Sequence, residues 1–197
     1  MIATAATRLV RTGLAATALT AGTVLAAGLG AGPAQAATPQ VHPDGFVTQM
    51  QCTGESGQIT YAPGLWKAAH AQTAALAATL TGCSDAFGGV YSDNGQLSVS
   101  LSGSSSKSSG NLSGSFVINW PASSHYNPSV GTATLNIASN TLTLNGTTSS
   151  TTGAWEGSYV HAGMLVTAHR GAGTKAHPIK QQTFVNTVPL TVQHNLG

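Results

Sequence analysis

Cys52 and Cys83 are the only cysteines, and beside them the chain has seven histidines and five acidic residues with which to do chemistry. Neither cysteine sits in a C-x-x-C arrangement or near a second thiol, as a redox or metal pair would require. An even count in an exported chain favours a disulfide, so the pair reads as a structural bridge. For a loop of this length the chain-entropy model gives a stabilisation of roughly 3 to 4 kcal/mol. The stretch "CTGESGQITYAPGL" around the first cysteine is therefore read as a fastener: Gly54 and Gly57 shape the turn into a strand at about Gln58 to Tyr61, and Pro63-Gly64 end it. Glu55 is the only reagent there.

His161, His169 and His177 are evenly spaced and suggest a metal site. However, "AWEGSYVHAGMLVTAH" reads as a hairpin turning at Ala162-Gly163. That register puts His161 at the turn and His169 at the far end of a strand, more than roughly 10 Å away by strand rise. No metal set is assigned. The same register places Glu156 opposite His169, and the plain reading is an exposed cross-strand pair worth a fraction of a kcal/mol. "SSSK" at 104–107 and "SDN" at 92–94 imitate two motifs of the penicillin-recognising serine enzymes, but in reversed order and with no K-T-G after them. There is no G-x-S-x-G, H-E-x-x-H or phosphate loop. A glycosidase needs two placed carboxylates, and nothing in the sequence brings Glu55 and Glu156 together. No catalytic residue and no cofactor is assigned. Asn111-Leu-Ser and Asn145-Gly-Thr match glycosylation acceptors, a pattern that often occurs by chance.

The aromatic residues offer binding chemistry instead. Trp120 ends an apolar alternation and reads as core. Trp155 and Tyr159 share a strand face on the hairpin reading, and with Trp66 they are the candidate ligand-facing residues.

The elements that must position these groups are β-strands. In "TATLNIASNTLTLNG" a two-residue turn at Ser139-Asn140 sets Ile137 against Leu142 and Leu135 against Leu144. Thr134, Asn136, Thr141, Thr143 and Asn145 then occupy the opposite face. The period-two pattern and the register agree on both strands. Alternation recurs in "QLSVSL", in "NLSGSFVINW" and at Phe184, Val188, Leu190 and Val192, with Gly, Ser, Asn and Pro clusters between. About seven to nine short strands imply an all-β antiparallel barrel or sandwich. "LWKAAHAQTAALAATL" is helical by propensity over 65–77, yet Leu76, Ala78 and Leu80 alternate, which favours a strand from Thr73 to Thr81.

Residues 1–36 combine Arg8 and Arg11, an apolar run and Ala34-Gln35-Ala36, the order of a cleaved signal peptide. The expected organisation is that signal, a flexible segment at 37–49 and a single β domain over 50–197. After cleavage, Arg170 and Lys67, Lys107, Lys175 and Lys180 balance Asp44, Asp85, Asp93, Glu55 and Glu156. Neutrality argues against a nucleic-acid footprint or a polybasic membrane patch, and no stable membrane span is expected once the signal is gone.

"CTGESGQITYAPGL", the second cysteine in "LTGC", the strand ending in Trp120 and "LTLNGTTSSTTGAWEG" together resemble a group of uncharacterised small secreted actinobacterial proteins. The resemblance spans residues 50–168 and implies a β-barrel or β-sandwich with a disulfide near its start. It implies no activity. The expected function is a secreted, non-catalytic β domain binding a small apolar ligand, a glycan or a protein outside the cell. The alternatives are a small hydrolase and a surface-associated structural protein.

Overall fold

The computed structural model describes residues 45–149 and 154–196. The signal peptide and most of the expected N-terminal segment lie outside them. Nine strands follow one another: β1 Phe46–Leu65, β2 His70–Asp85, β3 Val90–Tyr91, β4 Gly95–Ser105, β5 Ser109–Asn119, β6 Ser129–Ala138, β7 Thr141–Thr148, β8 Tyr159–Arg170 and β9 Ile179–Asn195. The order around the sheet is β1-β9-β8-β7-β6-β5-β4-β2, and β1 also pairs with β2. Eight antiparallel strands thus close a barrel, while the two-residue β3 adds to the end of β2 beside Cys83 and Ser84. Closure removes the sheet edges that an open sandwich would have to protect.

The pairing is strongly staggered. A row of paired residues leaves β1 at Thr60 and passes through Ala75, Ser100, Ser115, Thr132, Thr147, Tyr159 and Gln193. It returns to β1 at Thr48, well short of its start. Such a shear means strands tilted across the barrel axis.

Alternation sends apolar residues inward and small polar ones outward. Leu97, Val99 and Leu101 of β4, Phe116 and Ile118 of β5, and Leu135 and Ile137 of β6 are buried, and so are Leu142 and Leu144 of β7. Ser98, Ser100, Ser113, Ser115, Thr132, Thr134 and Asn145 face out. This inverts the lipid-facing pattern of transmembrane barrels, whose outward band is apolar. Phe116 fits because two inward positions lack side chains: a Cβ on Gly131 or Gly146 would come within 2.9 Å of its ring. The Ser139-Asn140 hairpin forms in the expected register, with Leu135 opposite Leu144 and Ile137 opposite Leu142.

Cys52 and Cys83 are directly opposite across β1 and β2, 3.9 Å apart at Cα, and are disulfide-bonded with both side chains fully buried.

Several expectations are corrected. The β domain begins at Phe46, inside the segment expected to be flexible. The strand favoured over Thr73 to Thr81 forms and is longer, His70–Asp85, and the helical alternative over 65–77 is not taken, because Ala74, Leu76, Ala78 and Leu80 alternate into the core. Gly54 and Gly57 lie within β1 rather than in a turn before it, and Gly57 has no room for a Cβ against Ala77 and Ala78. Residues 159–170 form one strand with no turn at Ala162-Gly163. Gly163 marks a register shift and a close approach to Val188, a role glycine also fills inside strands. Val188 faces outward although Phe184, Leu190 and Val192 face in, since β9 is irregular between them.

Candidate functional site

In an up-and-down barrel successive turns alternate between the two ends, and here the turns sort the charges. Lys67 lies in the β1–β2 turn, Lys107 in the β4–β5 turn, Arg170 at the end of β8, Lys175 in the β8–β9 loop and Lys180 at the start of β9. All five share one end. Asp85 at the end of β2, Asp93 before β4 and Glu156 before β8 share the other. The neutral total conceals this segregation, so the argument from neutrality against a basic patch does not hold.

A groove of about 810 Å³ opens at the basic end. Its walls are Pro63 in β1 and Trp66 just after it, Arg170 at the end of β8 with Gly171, and Lys175 to Pro178 with Lys180 and Gln181 of β9. No carboxylate lines it. Among the described residues, none of its cations has an ion-pair partner.

The walls are fixed by local structure. One face of Trp66 stacks on His70, with ring centroids 3.2 Å apart and planes 11° from parallel. His70 is in turn held between two backbone oxygens, its Nδ1 at 2.9 Å from Ala68 O and its Nε2 at 2.9 Å from Gly64 O. Buried Gln72 braces the same carbonyl through its Nε2 and accepts from Gly64 N at 3.2 Å. Lys107 N donates to Trp66 O at 2.8 Å, tying the indole's backbone to the β4–β5 turn. The opposite wall folds back on itself: Ala172 N and Thr174 N both donate to His177 O, and His177 N donates to Thr174 Oγ1 at 3.1 Å. Gly173, beside the Lys107 stem and Ile179, has φ +68°, a backbone conformation that other residues rarely adopt.

The acidic end is packed with aromatic side chains. Trp155 sits in the turn before β8 at φ +58°, edge-on to Trp120 at 5.0 Å and tilted by 52° against Tyr126 at 4.6 Å. Trp120 is buried as expected and donates to Ser129 Oγ at 2.9 Å. Asp85 accepts from Tyr91 Oη, from Tyr126 Oη at 2.9 Å, from Phe87 N at 2.9 Å and from Gly89 N at 2.8 Å. Burial alone would raise its pKa, but these hydrogen bonds, led by Tyr91, hold the carboxyl below its usual value. Burial and the bonds to Asp85 push both tyrosine hydroxyls up. Asp93 is lowered by hydrogen bonds from the Ser123 side chain and backbone.

The candidate ligand-facing residues therefore separate. Trp66 lines the basic groove, and Trp155 packs against Trp120 and Tyr126 at the acidic end. Tyr159 stands on the outer wall, 48 % exposed, edge-on to Phe46 at 5.5 Å. Trp155 and Tyr159 do not share a strand face, because Trp155 precedes β8. Glu156 and His169 lie at opposite ends, and His169 pairs with Gln182. Glu55 is not beside either one. Among the described residues no three His, Cys, Asp or Glu side chains converge.

Glu55 is the group whose setting sequence reasoning missed. It lies within the irregularity between Cys52 and Ser56, where β1 slips against β9, and its side chain is buried at 3 % exposure. Neither carboxyl oxygen has a hydrogen-bond partner. Burial pushes its pKa up to about 7. Its backbone N–H donates to Asn186 Oδ1 at 3.2 Å, and Asn186 Nδ2 donates to Thr53 O at 2.7 Å, so Asn186 closes the irregular stretch.

No family model, curated protein or solved structure matches the chain. The disulfide is the one part of the secreted-protein resemblance that the fold bears on directly. No helix among the described residues is long and apolar enough to cross a membrane.

Proposed function

We propose that the chain is a secreted, non-catalytic binding domain that holds an extracellular ligand in the groove at its basic end. The observation that carries this reading is the pairing of an immobilised indole with unpartnered cations in one open groove. Its volume is within the roughly 300–1,000 Å³ usual for ligand clefts. The oxidised cysteine pair suits an extracellular setting.

The other readings have less to stand on. Phe116, Phe184, Met50 and Leu135 occupy the interior that a small apolar ligand would need. A glycosidase would need two carboxyl groups at one cleft, and Glu55 and Glu156 do not meet.

The test is an NMR titration of the isotope-labelled, disulfide-intact protein with oleate, maltoheptaose, chitohexaose and hexagalacturonate. At least one oligosaccharide should shift Trp66, Arg170 and residues 175–181, and the oligosaccharides should remain intact. Shifts at core methyls with oleate, or cleavage of an oligosaccharide, would overturn the reading.

A further inference from the structure

We infer that the ligand of this groove is an anionic glycan: a sugar ring laid on Trp66 with its carboxylate or sulfate group held by Arg170, Lys175 and Lys180. The inference rests on the binding reading above and names the class of ligand.

Three features select that class. The groove presents three cationic side chains and no acid, so it repels cations and favours anions. None of the three is neutralised within the described protein, so their charge is available to a ligand. Trp66 supplies a flat apolar surface at the same groove, and its stacking on His70 fixes the ring before any ligand arrives. An anion without a ring would leave that surface unused, and a neutral sugar would leave three cations without counter-charge.

The two walls are also set in advance. His70 and Gln72 hold the Trp66 side, and the Ala172, Thr174 and His177 hydrogen bonds hold the cationic loop. Preorganisation of this kind lowers the ordering cost of binding. Lys67 and Lys107, in the neighbouring turns of the same end, extend the positive field beyond the groove, which suits an elongated polyanion rather than a single charged monomer.

The experiment is calorimetric titration of the secreted, disulfide-intact protein with hexagalacturonate, a dextran sulfate oligosaccharide, maltoheptaose, inorganic polyphosphate and a single-stranded oligonucleotide. At least one acidic oligosaccharide should bind, and its affinity should fall roughly tenfold or more between 50 and 200 mM salt. The two acidic oligosaccharides distinguish carboxylate from sulfate recognition. The triple variant Arg170→Ala, Lys175→Ala, Lys180→Ala should lose at least tenfold in affinity. Trp66→Ala should weaken the acidic oligosaccharide about tenfold and leave polyphosphate unchanged. Near-ultraviolet circular dichroism would verify that each variant is folded.

Maltoheptaose binding as tightly as the acidic oligosaccharides would overturn this inference and leave the binding function standing. Polyphosphate or the oligonucleotide binding more tightly, with no effect of Trp66→Ala on the acidic oligosaccharides, would overturn the glycan and keep the groove. Absence of binding by every probe would count against both.

Discussion

The two ends of the barrel each carry one sign of charge and a tryptophan, yet they differ in how far those groups are bonded within the chain. At the acidic end two of the three described carboxylates are hydrogen-bonded, while Glu156 is exposed and has no described partner. Asp85 takes four hydrogen bonds, Asp93 is bonded to Ser123, and Trp155 wedges against Trp120 and Tyr126. At the basic end the cations have no partner among the described residues, and Trp66 has one face covered by His70 while still lining a groove. The lesson is that charge and aromatic content do not identify a site. What separates the end proposed to bind from the other end is how far those groups already have partners.

Glu55 is the extreme case for that criterion, a buried acid with two unpartnered oxygens, and the largest effect is expected there. Its folded pKa of about 7 lies above the ordinary 4.5. Below about pH 4.5 the carboxyl is protonated in both the folded and unfolded chains and costs nothing by ionisation. Between the two values the unfolded chain releases its proton while the folded chain keeps it, so stability falls as pH rises. Above about 7 the loss is complete, at roughly 3 kcal/mol. Urea unfolding at pH 4.5 and pH 8 should show this loss, and Glu55→Gln should abolish most of it. A variant with the same pH dependence as the parent would mean that Glu55 finds a partner in solution.

Asp85 tests the structural end. Asp85→Ala leaves two tyrosine hydroxyls and two backbone N–H groups without their acceptor and should cost about 2 kcal/mol in urea unfolding. Ligand binding at the groove should be unchanged, since the groove is at the opposite end of the strands. A loss of binding with stability intact would erase the distinction between the ends.

Much of this architecture is legible in the sequence, and what is not has particular causes. The Leu135–Leu144 hairpin is readable because period-two alternation and a two-residue turn specify one register independently. The Cys52–Cys83 bridge is readable from a count of two. Residues 159–170 mislead because Gly163, a frequent turn residue, is there to let Val188 approach. The resulting false hairpin also joined Glu156 to His169 and misplaced Trp155. Val188 shows the same weakness: an irregular strand changes which residues face inward, and alternation alone does not reveal where the slip occurs.

The groove is hidden for a different reason, since Arg170, Lys175 and Lys180 cancel in the total charge and the indole beside them, Trp66, lies far away in sequence. Once the chain is read as an up-and-down barrel, alternate turns must share an end. Assigning each charge to its turn would have grouped Lys107, Arg170, Lys175 and Lys180 with Trp66 and Lys67. Glu55 is in phase with inward-facing Ile59 and Tyr61, and it goes unread because the strand expected at Gln58 to Tyr61 starts too late to include it.

The smallest expected effect on stability comes from the end proposed to bind. Arg170, Lys175 and Lys180 are exposed and make no ion pair with a described residue, so removing them breaks no interaction in the folded chain. Exposed charges of this kind contribute little, and clustered like charges repel. Each single alanine variant should therefore lie within about 0.5 kcal/mol of the parent in urea unfolding, with any change toward greater stability. Low salt should enlarge a stabilising change and high salt should remove it, because screening weakens the repulsion being relieved. If these variants instead cost as much as Asp85→Ala, the basic side chains would have structural partners like those at the acidic end, and the proposed contrast between the two ends would be lost.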